Sequence, residues 1–151
     1  MYRRPELELK WPNLSDTDYS VSSLKSQEYN CFAYAAGETD RWWQATPGDR
    51  FYWPDGVPQE ETLEAYIQAY QTLGYEVCNS DELEAGVEKI ALYVDSENQP
   101  THAARQLTNG KWVSKLGWLE DIKHELDGLR GDRYGVVAVS YTHLTLPTRR
   151  F

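Results

Sequence analysis

The hydrophobic period of this chain changes at Gly74. From Gln59 to Leu73 the apolar residues Leu63, Tyr66, Ile67, Tyr70 and Leu73 recur three and four apart, with Glu60 and Glu61 early and Gly74 as the stop. That spacing puts one apolar stripe on a helix and predicts a helix over 59–73. Beyond Gly74 the runs are short and strand-like: Tyr75 to Cys78, Lys89 to Val94, His102 to Leu107, Lys111 to Lys115 and Tyr134 to Val139. Asn109-Gly110 joins two of them as a hairpin, because both residues tolerate the positive φ that such a turn demands. Glu120 to Leu129 reads either as a helix or as an ordered loop. Upstream, Asn30-Cys31-Phe32-Ala33-Tyr34-Ala35-Ala36-Gly37 has the cap, the helix formers and the glycine of a short helix that opens at Cys31. Helices followed by about five mostly antiparallel strands predict an α+β domain.

The two ends differ from this middle. Residues 1–26 mix Pro, Asn, Ser and Asp with isolated apolar residues and predict an irregular N-terminal arm. Residues 27–139 hold the domain. Residues 140–151 break abruptly with the preceding strand, and Val139-Ser140-Tyr141-Thr142-His143-Leu144-Thr145-Leu146-Pro147-Thr148 resembles translated sequencing-adapter read-through from metagenomic assemblies. On that resemblance the tail is non-native, and His143, Arg149 and Arg150 carry no function.

Composition narrows the function. Fifteen basic against 24 acidic residues give a net charge of −9, which becomes −11 without Arg149 and Arg150. Phosphate neutralisation is therefore a poor basis for any partner, which argues against nucleic acid and anionic membrane surfaces. No run approaches the ~20 apolar residues of a membrane span, and the charged start Tyr2-Arg3-Arg4-Pro5-Glu6 is unlike a signal peptide, so a cytoplasmic location is expected. The two cysteines, Cys31 and Cys78, are too few for a disulfide framework and have no close zinc-ligand spacing with each other or with His102 and His124, so no metal and no cofactor are expected. Six Trp and 11 Tyr against three Phe point to half-wet aromatic surfaces, or to a core in which each polar handle finds a partner.

One constellation carries chemistry. A helix N-terminus aims free N–H groups and a positive dipole end at a first-turn thiol, which lowers its pKa and makes Cys31 a candidate nucleophile. Its backbone N–H, with the side-chain amide of Asn30 or Gln27, is a candidate oxyanion site. With the tail set aside, His102 and His124 are the available imidazoles. His102 opens a strand 71 positions after Cys31, an order that suits a papain-like arrangement.

The segments Asn30-Cys31-Phe32-Ala33-Tyr34-Ala35, Pro47-Gly48-Asp49, His102-Ala103-Ala104-Arg105-Gln106-Leu107 and Asn109-Gly110-Lys111-Trp112-Val113-Ser114-Lys115-Leu116-Gly117 resemble an uncharacterised bacterial domain family. That family in turn resembles the papain-like hydrolases that include the NlpC/P60 amidopeptidases. The resemblance covers roughly Ser26 to Val139. It implies a papain-like fold, Cys31 as nucleophile, His102 as general base and a third group that fixes the imidazole tautomer. Papain-like enzymes draw that group from the strand after the histidine or just beyond it. Here Ser114 and Lys115 are not standard partners, so Asp121 is the expected third member, with His124, a backbone carbonyl or water as alternatives.

The resulting expectation is a thiol hydrolase or acyltransferase acting on an amide bond in a peptide or other amide-containing substrate. Trp42, Trp43 and Trp53 of the aromatic loop, with Trp112 of the hairpin, would wall the cleft. The competing reading is a non-catalytic protein-interaction domain on the same fold, with Cys31 a small buried hydrophobe, His102 a strand-end histidine bonded to backbone, and Cys78 in the core.

Overall fold

The computed structural model describes residues 4–22, 26–45, 51–78, 82–116 and 119–138, and the backbone of 141–145. The Pro47-Gly48-Asp49 motif, Gly117 and most of the tail lie outside the described residues. The chain is a mixed α/β domain whose described residues form three helices, α1 (Pro5–Lys10), α2 (Cys31–Ala35) and α3 (Leu63–Gln71). Its strands are β1 (Ser20–Val21), β2 (Glu76–Cys78), β3 (Val87–Val94), β4 (Pro100–Gln106), β5 (Trp112–Lys115), β6 (Asp121–His124), β7 (Val136–Val137) and β8 (Tyr141–Thr145). They form one sheet of order β1-β6-β5-β4-β3-β8-β2, with β7 also paired to β3, and every strand pair in it is antiparallel.

Both expected helices form. The Asn30 side chain accepts the Ala33 N–H and caps α2, and Thr62 caps α3 by accepting the Ala65 N–H. Each satisfies a donor that the first helical turn leaves without a carbonyl. The five expected strands also form, but the sheet has eight. Glu120 to Leu129, left between helix and loop, is strand β6 followed by a 3-10 turn over Leu126–Leu129. Residues 141–145 pair their backbone with both β2 and β3, so this part of the expected appendage runs within the sheet.

Strand side chains alternate between faces, so register decides which residues can meet. One face carries Ile90, Leu92 and Ala103, packed under α2 and α3 with Cys31, Trp43, Trp53, Tyr66 and Tyr70. The other carries Ala91, Tyr93, Ala104, Trp112 and Ile122. Residues 4–19 cover this second face. The expected irregular arm is structured here: α1, a 3-10 turn over Pro12–Asp16 and the start of β1 bury Leu7, Trp11, Leu14 and Tyr19 to 4% exposure or less. Isolated apolar residues without a sustained period gave no helical signal, because α1 is under two turns long and shows the core a single leucine.

Candidate functional site

Cys31 is the first residue of α2, as its cap and spacing require, but its surroundings are closed. It is 7% exposed and belongs to the apolar cluster beneath the helices. Burial pushes its thiol up to about 12, against an ordinary 9.0; N–H groups of Ala103, Phe32 and Cys31 itself, and the Lys115 charge, offset only part of that rise. The expected lowering by the helix N-terminus is therefore overturned by desolvation. A five-residue helix supplies little dipole, and the sulfur has exchanged water for a hydrocarbon wall.

His102 lies elsewhere. It pairs in register with Tyr93, while the next residue, Ala103, pairs with Leu92 on the Cys31 face. The imidazole accordingly stacks on Tyr134, 4.0 Å between centroids and 9° between planes, and meets Tyr93 edge-on at 5.4 Å. It is fully buried, and neither ring nitrogen has a hydrogen-bond partner among the described residues. No hydrogen bond joins it to Cys31 or to Asp121. Burial holds its pKa well below the ordinary 6.5, with a further contribution from nearby His124.

Asp121 does share the Cys31 face. It is 3% exposed, accepts the Tyr29 hydroxyl at 2.8 Å and lies in register with Lys115. The Lys115 ammonium donates to the Leu119 carbonyl at 2.6 Å and sits 5.3 Å from the centre of the Tyr29 ring. Burial lowers its pKa. The sheet thus brings together Cys31, Asp121, Lys115 and Tyr29 and leaves His102 on the far side. Sequence reasoning had set Lys115 aside. All four residues of β5 are buried, so no alternation marked which of them faced the helix.

Of the expected oxyanion groups, the Asn30 amide is otherwise engaged. Asn30 Oδ1 accepts the N–H groups of Ala33 and Trp43, and Nδ2 donates to the Trp43 carbonyl. Gln27 is exposed, and its backbone carbonyl, not its side-chain amide, accepts the Trp42 indole N–H at 2.8 Å. The tryptophans separate in the same way. Trp43 and Trp53 are core residues beneath the helices, and Trp112 is buried on the opposite face, so these three do not wall a cleft. Trp42 is half-buried beside Phe51 at 6.2 Å, and the Arg41 guanidinium lies 3.5 Å over the Tyr52 ring.

A second imidazole makes a complete set of bonds. His124 is fully buried; its Nδ1 donates to the Glu125 carbonyl at 2.8 Å, which leaves Nε2 to accept the Ser114 hydroxyl at 2.7 Å. Burial pushes its pKa down to about 4. Gly135 positions the neighbouring aromatic: its φ is +79° and a Cβ would collide with the Val94 carbonyl, so glycine lets the 131–135 loop lay Tyr134 on His102. Among the described residues, no cluster of three or more His, Cys, Asp or Glu is placed to hold a metal ion, and no helix is long and apolar enough to cross a membrane.

No curated protein and no solved structure matches this chain. A family model described as "Domain of unknown function (DUF7689)" matches residues 20–142, a span that includes the Cys31 helix, the His102 strand and the whole Ser114–His124 pair, and the chain belongs to that family.

Proposed function

We propose that this domain works by binding a peptide or protein segment, on a scaffold related to the papain-like hydrolases, without covalent catalysis at Cys31. The observation that carries this reading is the placement of Cys31 and His102 on opposite faces of one strand. A nucleophile and its base must lie within hydrogen-bond reach or one water of each other, and a sheet layer separates these two. The short capped helix packed on an antiparallel sheet supports the papain-like kinship. The acidic charge and two free cysteines fit a reducing compartment such as the cytoplasm. The surface suited to binding is the half-buried group of Trp42, Phe51 and Tyr52 with the exposed Arg41, which is paired with Glu38 and lies over Tyr52; these rings can take a peptide without a deep cleft.

One observation favours a second reading, the thiol hydrolase. The backbone of Ala103 and Phe32 favours the Cys31 thiolate, and the buried Lys115 lies on the same face, so Lys115 would replace His102 as proton acceptor. Incubating the chain with a mixed library of peptide amides and esters separates the two. Binding predicts that every library mass stays intact, that selected peptides lose at least tenfold affinity in Trp42→Ala, and that Cys31→Ala binds them as the wild type does. Cleavage that disappears in Cys31→Ala overturns the binding reading, and its further loss in Lys115→Met assigns the base.

A further inference from the structure

We propose that a cavity between the 83–86 turn and the β4–β5 hairpin binds a free α-amino acid with an apolar side chain, its carboxylate on Arg105 and its ammonium on Glu88. The cavity arises where β3 and β4 part. Their last registered pair at this end is Ile90 with Arg105; beyond it β3 stays paired with β8 through Val87, and β4 with β5 through Gln106. The 83–86 turn closes the resulting gap. Fully buried Lys89 pins this turn through Glu84 at 2.7 Å, and the Leu83 side chain comes within 3.9 Å of where a Cβ on Gly110 would stand. The space enclosed is about 480 Å³, inside the ~300–1,000 Å³ range of small-ligand sites.

The walls combine hydrocarbon with opposite charges. Leu83, Val87 and Leu107 supply the first, and Glu88, Arg105 and Gln106 line the same space. Arg105 is half-buried, and no carboxylate forms an ion pair with it among the described residues. Its Nε is buried without a hydrogen-bond partner, and its guanidinium lies 5.3 Å over the Tyr34 ring. A neutral ring supplies no counter-charge, so a rigid fork of donors suited to a carboxylate is left facing the cavity. Glu88 is 7% exposed and shares a face of β3 with Ile90, the registered partner of Arg105. Diagonal residues on one face stand about 7–8 Å apart, and both of these line the cavity. An α-amino acid carries its two charges on either side of one carbon. It can therefore give Arg105 an anion and Glu88 a donor at that spacing, while its side chain meets Leu83, Val87 and Leu107. A simple anion would satisfy Arg105 but bring a second negative charge to Glu88, whereas the zwitterion suits both walls. Glu84 leaves this balance intact because Lys89 neutralises it. The site shares no residue with the Trp42, Phe51, Tyr52 and Arg41 surface, so its test is independent of the peptide-binding reading.

Titration calorimetry on the full chain with L-leucine and L-phenylalanine tests this. Saturable one-to-one binding is expected. Affinity should fall by about tenfold or more for N-acetyl-leucine, which lacks the ammonium, for leucinamide, which lacks the carboxylate, and for glycine, which lacks the apolar group. Arg105→Met and Glu88→Gln should each cost about tenfold or more. Leu83→Asp should do the same from a half-exposed position, which keeps the test available if a buried variant loses its sheet by circular dichroism. No saturable binding of either amino acid at millimolar concentration would overturn the proposal. So would N-acetyl-leucine or leucinamide binding as well as leucine, or an affinity unmoved by Leu83→Asp.

Discussion

Alkylation of Cys31 gives the sharpest reading of whether its thiol is a working group. The structure places that thiol at about 12, three units above an ordinary 9.0. Three units correspond to ~4 kcal/mol against ionisation and to roughly a thousandfold less thiolate at any pH below 9. A more basic thiolate is also a better nucleophile. With a Brønsted slope of about 0.4–0.5, the three units return roughly 15- to 30-fold in intrinsic reactivity. The balance leaves Cys31 at least about 30-fold slower toward iodoacetamide than an unhindered thiol, before the 7% exposure of the residue slows it further. Peptide mass spectrometry on the folded chain resolves the two cysteines, with half-buried Cys78 as the internal reference. The expected result is that Cys78 is labelled first and that the Cys31 rate rises with pH to at least 11 without a plateau. Labelling of Cys31 ahead of Cys78 at pH 7, with a rate that levels off near neutrality and falls in Lys115→Met, would refute the argument that burial outweighs the helix terminus.

Below pH 6.5 the overall stability is expected to fall by up to ~2.7 kcal/mol per pH unit, because unfolding frees two histidines that the fold holds neutral; urea titrations at pH 7.0, 5.5 and 4.5 measure it. Asn30→Ala removes a helix cap and strands the Trp43 backbone, so a loss of ~2–4 kcal/mol in urea unfolding is expected. Gly135→Ala forces a side chain into the Val94 carbonyl at positive φ, and a loss of more than ~2 kcal/mol should appear in thermal unfolding. A stop codon after Val139 removes β8, through which β2 joins the sheet; a lowered melting temperature is expected, and an unchanged one would return the tail to the status of an appendage.

Much of the fold was legible because its signals are local. Caps, the Asn109-Gly110 turn and the 3.6-residue stripe of α3 each depend on residues close in sequence. The candidate site was not, because it turns on parity. Along His102-Ala103-Ala104 all three residues are buried, so the alternation that normally separates the faces of a strand is absent and the sequence does not tell which of the three looks toward Cys31. Lys115 was hidden by the same full burial. The aromatic loop misled for a different reason. Trp43 and Trp53 find acceptors for their indole N–H groups in Glu38 and in the carbonyls of Val57 and Pro58, so polar handles that suggested a wet cleft are satisfied within the core.

The two-sided burial of β4 also sets how this scaffold can change. A single step along the strand moves a side chain from one chemical compartment to the other, and no gradual path connects them. Converting Ala103 to histidine would turn an imidazole toward the Cys31 face, at an overpacking cost above the ~1–3 kcal/mol of added methylenes, because a polar ring would replace a methyl group in a fully buried site. The strand's parity therefore sets which side chains can meet Cys31, and the closed packing beneath α2 that keeps its thiol protonated would also have to open before any such pair could react.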